Sequence, residues 1–482
     1  MKRTSGVLMH ISSLPGEYST GSFGREAKDF IDFLKDCGFT YWQVLPFCMI
    51  DECNSPYKSY SAFGGNPYFI NLEKLAEKGL VSHDELEGYR QQTPYSCEYV
   101  RLYHTRFELL KAASMRVGTE QRNEIEKFIS ERKYLDDCCR FMALKAANDN
   151  KCWIEWTNED IDADTLFMWK FIQYEFFMQW AEIKEYANKN GIMIIGDIPI
   201  FVAYDSCDVW ANKEQFLLDD DYMPSCVAGV PPDYFAKDGQ LWGNPLYNWR
   251  VMKADGYKWW LARIEYMLEL FDGIRIDHFR GLESYWSIPR NAETAREGKW
   301  EKGPGEDFID TIKKVSADKL IIAEDLGIIT ENVEKLVEYS GFPGMRVMQF
   351  GFPGDGKNPH KPHNYIKNCV AYTGTHDNNT LLGYVWELSE NDRRELLDYC
   401  GYTSPDWNNG YDAIIRTLFA SSAELVIMPI QDLLGYGSDT RLNIPGKADG
   451  NWQFRITAEQ LNGIDRKKYR HLNRLYGRDG SI

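Results

Sequence analysis

Eight stretches rich in β-branched and apolar residues recur along this chain, and helical patterns fill most of the intervals between them. The stretches are GVLMHISSLP (6–15), TYWQVLPF (40–47), IMIIGDIPIFV (192–202), GIRIDHF (273–279), LIIAEDLG (320–327), GMRVMQFGF (344–352), NCVAYTGTHD (368–377) and ELVIMPIQDLLG (424–435). Helical periodicity marks 26–38, 164–191, 253–271, 306–319 and 331–341, and several of these segments close on glycine, as helix C-termini often do. Strands that are apolar nearly throughout and alternate with helices predict a parallel sheet covered on both faces. Eight of them predict an α/β chain folded as a (β/α)8 TIM barrel. An open doubly wound sheet is the alternative, weakened because no GxGxxG or Walker A motif follows the first strand.

The spacing is uneven. About 145 residues separate the second and third stretches, and most of them read as helical. The expectation is one catalytic barrel over 1–482, carrying a mostly helical inserted subdomain at 60–165 and an active-site loop subdomain at 203–252. The second insertion is rich in Gly, Pro, Trp and Tyr. Excursions that follow barrel strands fall at the C-terminal mouth, where barrel enzymes place their active sites. The eighth stretch ends near 435, so no C-terminal β-sandwich is recognisable in the roughly 47 residues beyond it.

Charge narrows the partners. With 55 basic and 72 acidic residues the net charge is −17, which argues against nucleic acid or an anionic membrane and fits a neutral ligand. The basic run RKKYRHLNR (466–474) reads as a solvated helix. Eleven scattered cysteines without a CxxC pair point to a reduced, cytoplasmic chain. The N-terminal residues have no apolar core of signal-peptide type, and no run approaches the ~20 apolar residues of a membrane span. Aromatics reach 14%, which suits either a large core or the flat faces of a cyclic ligand.

Residues two apart on a strand share a face. In GIRIDHF, Arg275 and Asp277 therefore point to the barrel axis while Ile274 and Ile276 point to the helices. The third stretch carries Asp197, the fifth ends in Glu324-Asp325, and the seventh ends in His376-Asp377. Carboxylates converging on one mouth repel each other, so the arrangement needs a reason. Any one of them alone reads as an ion pair or a helix cap. Together they point to metal binding or to acid–base and nucleophilic work. The chain has only eight histidines, of which His10, His278 and His376 lie on or next to strand ends, so a dinuclear metal site is poorly supplied. Glycosyl chemistry needs one carboxylate as nucleophile and one acid of raised pKa, and Arg275 beside Asp277 would favour its ionised form.

In this order and spacing the motifs resemble the 4-α-glucanotransferase family, also called amylomaltase or disproportionating enzyme, of the short bacterial type. GIRIDHFRG, IIAEDLG and TGTHDNNT resemble the segments that carry that family's three carboxylates. MHISSLPGEYSTGSFG, NSPYKSYSAFGGNPYFINL, GDIPIFVAYDSCDVW, GVPPDYFAKDGQLWGNPLYNW and RLNIPG are similar to further family segments. DIPIF stands where typical α-amylases carry an Asn-His pair, which points away from a plain amylase.

The resemblance implies Asp277 as nucleophile, Glu324 as acid/base and Asp377 as the carboxylate that binds sugar hydroxyls and holds the ring distorted. It implies that Arg275 orients Asp277, that His376 bonds sugar hydroxyls, and that Asp197 matters to the site. Two prolines stiffen the loop of Tyr234, Phe235 and Trp242, whose flat faces suit sugar C–H faces and would exclude water. Tyr57 and Tyr60 invite the same argument, and Asn443 and Pro445 are expected to line the cleft from the other side. The implied reaction transfers an α-1,4-glucan segment with retention and needs no metal or organic cofactor. A retaining α-glucan hydrolase is the alternative. Nothing in the sequence fixes an oligomeric state.

Overall fold

The computed structural model describes residues 2–232, 237–404, 410–447 and 449–480. Among these described residues twelve strands follow in chain order: β1 Thr4–Leu8, β2 Tyr41–Gln43, β3 Met193–Ile198, β4 Cys226–Val230, β5 Gln240–Pro245, β6 Gly273–Ile276, β7 Ser284–Pro289, β8 Lys299–Lys302, β9 Leu320–Ala323, β10 Gly344–Val347, β11 Cys369–Tyr372 and β12 Leu425–Pro429. Eight of them close into a parallel barrel in the order β1-β12-β11-β10-β9-β6-β3-β2. β1 pairs with β2 on one side and with β12 on the other, which rules out the open sheet. Each of the eight sequence stretches contributes one barrel strand.

The strands are short and nearly all their residues are buried, because side chains fill the barrel from inside while helices cover it outside. Gly196 in β3 illustrates the outer fit. A Cβ there would lie 2.2 Å from the Phe271 ring. The helix Arg25–Cys37 buries Phe30, Ile31, Phe33 and Leu34 and stops at Gly38, whose φ of 76° is cheap only for glycine.

The single helix expected over 253–271 is two. Trp249–Ala254 and Lys258–Leu270 are separated by Gly256 (φ 78°) and Tyr257 (φ 59°), and the left-handed pair ends one helix before the next begins. The basic run at 466–474 is a helix, Arg466–Leu475, but one face of it is docked: Tyr469, Leu472 and Asn473 are buried, and Arg466 pairs with Asp36 at 2.8 Å.

Between β2 and β3 lie the helices Tyr99–Met115, Thr119–Ser130 and Lys133–Ala147, all contacting the 27-residue helix Ala163–Lys189. That long helix buries Phe171, Phe176, Phe177 and Trp180. Ring contacts such as Phe47–Trp180 (4.6 Å) and Phe23–Phe176 (5.1 Å) show that much of the aromatic content is core.

A second sheet stands beyond the barrel, in the order β5-β4-β7-β8 and antiparallel throughout. Its first two strands come from the 203–252 excursion. The other two come from 284–302, after β6, a hairpin the sequence pattern did not single out. Val227, Ile288 and Ala295 form its own small core. Among the described residues no helix is long and apolar enough to cross a membrane.

Candidate active site

β6 brings the first charges together. Arg275 is opposite Asp197 of β3 in register, and its Nη1 donates to Asp197 Oδ2 at 2.6 Å while Nη2 donates to Asp277 Oδ1 at 2.8 Å. Tyr57, from the loop after β2, donates its hydroxyl to the same Asp197 oxygen at 2.7 Å. One guanidinium thus compensates two carboxylates, which is how buried charge is tolerated in an otherwise apolar strand. Removing one partner from such a buried pair leaves an unpaired charge and costs ~3–5 kcal/mol.

Glu324 reaches the same place from β9. The neighbouring residues Ile276 and Ala323 are paired in register, so the two strands end level. Past Ile276 the chain turns sharply: His278 adopts φ 48°, ψ 49°. In that left-handed conformation its N–H donates to Glu324 Oε2 at 2.7 Å, while Leu326 N–H donates to Oε1 at 2.9 Å. The backbone next to Asp277 therefore holds the Glu324 carboxyl directly.

Burial pushes Glu324 up to about 8, with Arg275 pulling it down and Asp277 pushing it further up. Burial also pushes Asp277 up, to about 6. Arg275 pulls Asp277 down as the sequence argument supposes, but burial and the nearby Asp197 and Asp377 charges outweigh that pull. The order survives: Asp277 ionises first, so near neutrality it is the anion and Glu324 the acid. Asp325, one residue on, points elsewhere. It accepts from Met345 N at 2.6 Å and pairs with Arg346 at 3.0 Å.

The third carboxylate follows β11. Asp377 Oδ1 accepts from Asn443 Nδ2 at 2.6 Å, and Oδ2 lies 3.3 Å from His376 Nε2. Arg441, not anticipated from sequence, donates to the Asp377 carbonyl at 3.0 Å and so ties this loop to the segment after β12. Burial lowers the His376 pKa, which keeps the ring neutral. The Tyr57 ring stacks on His376 with centroids 5.1 Å apart and planes 13° apart.

The remaining expected residues divide. Trp242, on β5, meets the His278 ring edge-on at 5.0 Å and so borders the Glu324 side. Tyr60 turns away: its ring lies 4.9 Å from Lys145 Nζ, which pairs with Asp205. Pro445 is exposed, two residues beyond Asn443 on the same loop. Tyr234 and Phe235 lie outside the described residues. Among those residues, no group of three or more His, Cys, Asp or Glu side chains is arranged to hold a metal ion.

A family model described as 4-alpha-glucanotransferase matches residues 9–461. The chain belongs to the 4-alpha-glucanotransferase family. It is 44% identical over 489 residues to the 4-alpha-glucanotransferase of Clostridium butyricum, covering 98% of this chain and 100% of that one. The Thermus thermophilus 4-alpha-glucanotransferase is 42% identical over 482 residues, with 96% of each chain covered. The amylomaltase from Streptococcus agalactiae in complex with acarbose superposes with a TM-score of 0.95 at 38% identity, covering 99% of this chain and 100% of that one.

Proposed function

We propose that this member of the 4-alpha-glucanotransferase family moves α-1,4-glucan segments between chains through a covalent glycosyl ester on Asp277. The observation that carries the reading is the pairing of an arginine-held carboxylate, Asp277, with a buried carboxyl, Glu324, that ionises at higher pH. The Streptococcus agalactiae relative, solved with acarbose, supports a sugar chain as the ligand.

In the first step the Glu324 proton passes to the glycosidic oxygen as that oxygen leaves C1, and an Asp277 oxygen forms the C1 ester. In the second step an acceptor hydroxyl gives its proton to Glu324 and its oxygen displaces Asp277 from C1. Two inversions give net retention, and both carboxyls return to their starting states. Asp377, His376 and Tyr57 are assigned to the ring undergoing attack, because they lie on the Asp277 side in one hydrogen-bonded and stacked group. Trp242 is assigned to the departing and arriving chains, because it borders His278 and through it the acid. Pro445, Tyr234 and Phe235 are assigned to glucan contacts further along the cleft, on the family resemblance.

The 203–252 excursion, together with β7 and β8, serves in this reading as the acceptor-side wall. The helical 60–165 excursion buttresses the opposite wall. Maltooligosaccharides, amylose and glycogen-derived dextrins are the proposed α-1,4-glucan substrates. All eleven cysteines are free thiols, which supports a cytoplasmic setting.

Maltotriose tests the reading. Transfer is expected to give glucose plus a ladder of maltooligosaccharides longer than the substrate. Glucose and maltose with nothing longer than maltotriose would assign the enzyme to hydrolysis.

A further inference from the structure

Trp452, near the site, holds an unusual backbone conformation. It sits at φ 65°, in the left-handed region that bulky side chains rarely enter. Its residue is 6% exposed. Several bonds hold it there. Its N–H donates to Leu442 O at 2.6 Å, and its carbonyl accepts from the Tyr99 hydroxyl at 3.0 Å. Asn451, just before it, accepts from Ile444 N at 2.9 Å and donates to Lys447 O at 2.9 Å. Just after it, Gln453 O accepts from Cys97 N at 2.8 Å. Trp452 is therefore the corner at which the chain is tied back to Leu442 and begins to pair with the segment around residue 97. A glycine would make that corner without strain.

The ring shows what glycine would lose. Trp452 lies 5.9 Å from Tyr57 and 5.9 Å from His376, at 45° and 38°, and so wedges the stacked pair from one edge. Tyr57 holds Asp197, and His376 faces Asp377, so each of the two supported rings contacts one of the carboxylates near Asp277. Asn443, the residue after Leu442, donates to Asp377.

We propose that Trp452 is a positioning residue for transfer: its left-handed corner sets Leu442 and, through it, Asn443, and its indole fixes Tyr57 and His376 against the reacting sugar. The proposal rests on the assignment of Asp277, Glu324 and Asp377 as the reacting groups. Trp452 touches none of them and acts through Tyr57, His376 and Asn443.

The test compares Trp452→Gly, Trp452→Phe, Tyr57→Phe and the Trp452→Gly/Tyr57→Phe double variant in steady-state disproportionation of maltotriose. Glycine removes the backbone strain together with the ring. The expected result is a folded Trp452→Gly enzyme whose kcat falls about tenfold or more while KM moves less, since small displacements of positioning groups act on the reacting geometry. Trp452→Phe is expected to recover most of kcat. The double variant is expected to lose less than the product of the two single losses, because the effects share a route. If Trp452→Gly does not stay soluble, Trp452→Leu keeps apolar volume without a flat ring and is read in the same way. A kcat within about twofold of the parent, or losses that multiply fully, would overturn the proposal. The underlying assignment fails separately, if Asp277→Asn retains turnover.

Discussion

The two walls of the barrel mouth are built differently. On the Asp377 side, loops after β2, β11 and β12 interlock through Tyr57, His376, Arg441, Asn443 and Trp452, and the helix Tyr99–Met115 adds a hydrogen bond from outside. On the Glu324 side stands a separate four-stranded sheet with its own small core of Val227, Ile288 and Ala295. In the first wall Tyr57, His376, Arg441 and Asn443 are each held by a hydrogen bond, an ion pair or a stacked ring. The second presents Trp242 from a sheet that does not share the barrel's ladder, against His278 at the end of the barrel strand β6. The difference matches what transfer demands. The donor must stay fixed through two displacements, whereas one glucan leaves and another enters on the acid's side.

Variants sharpen this contrast. The largest effect is expected at Asp277→Asn, which removes the proposed nucleophile from the fixed side. Disproportionation should fall about a thousandfold or more, with glucan binding, measured by calorimetry, largely kept. Near-normal transfer in that variant would dissolve the distinction between the walls.

The pH profile comes next. In the proposed mechanism Asp277 must be ionised to attack, and burial raises it to about 6, so the rate should fall as pH drops through that region. Glu324 must be protonated to release the leaving group, and burial raises it to about 8, so the rate should fall as pH rises through that region. The kcat/KM profile should therefore be a bell with limbs near these values, belonging to the pair jointly. Glu324→Gln should lose the alkaline limb for donors whose leaving group needs no proton.

The smallest effect is expected on the mobile glucan's side. Trp242→Ala should raise the acceptor concentration needed for half-maximal transfer several-fold and increase the share of intermediate lost to water, with a loss in donor cleavage far below that at Asp277. A variant that cleaved a thousandfold more slowly but partitioned as before would place Trp242 with the fixed wall instead.

Much of this was legible in the chain. The period of two in GIRIDHF aimed Arg275 and Asp277 inward, and the eight apolar stretches each became a barrel strand. What escaped was non-local. Glu324 and Asp325 are equivalent in sequence pattern, and only Arg346 and the Met345 N–H, from another strand, decide that Asp325 turns away. Tyr57 and Tyr60 looked alike until Asp197 and Lys145 separated them. Arg441 and Trp452 act through backbone carbonyls and a left-handed corner, neither of which leaves a pattern in composition or periodicity. The hairpin of β7 and β8 joins strands from a different excursion, so its place depends on a pairing across more than fifty residues of chain.

The covalent step is the centre of the account, and intact mass tests it most directly. Glu324→Gln incubated with an α-maltosyl fluoride, whose leaving group needs no acid, should accumulate a protein heavier by one maltosyl unit. Proteolysis should then place the ester on Asp277 within residues 273–281. An unmodified protein that still turns the fluoride over, or an ester on any other carboxylate, would contradict it.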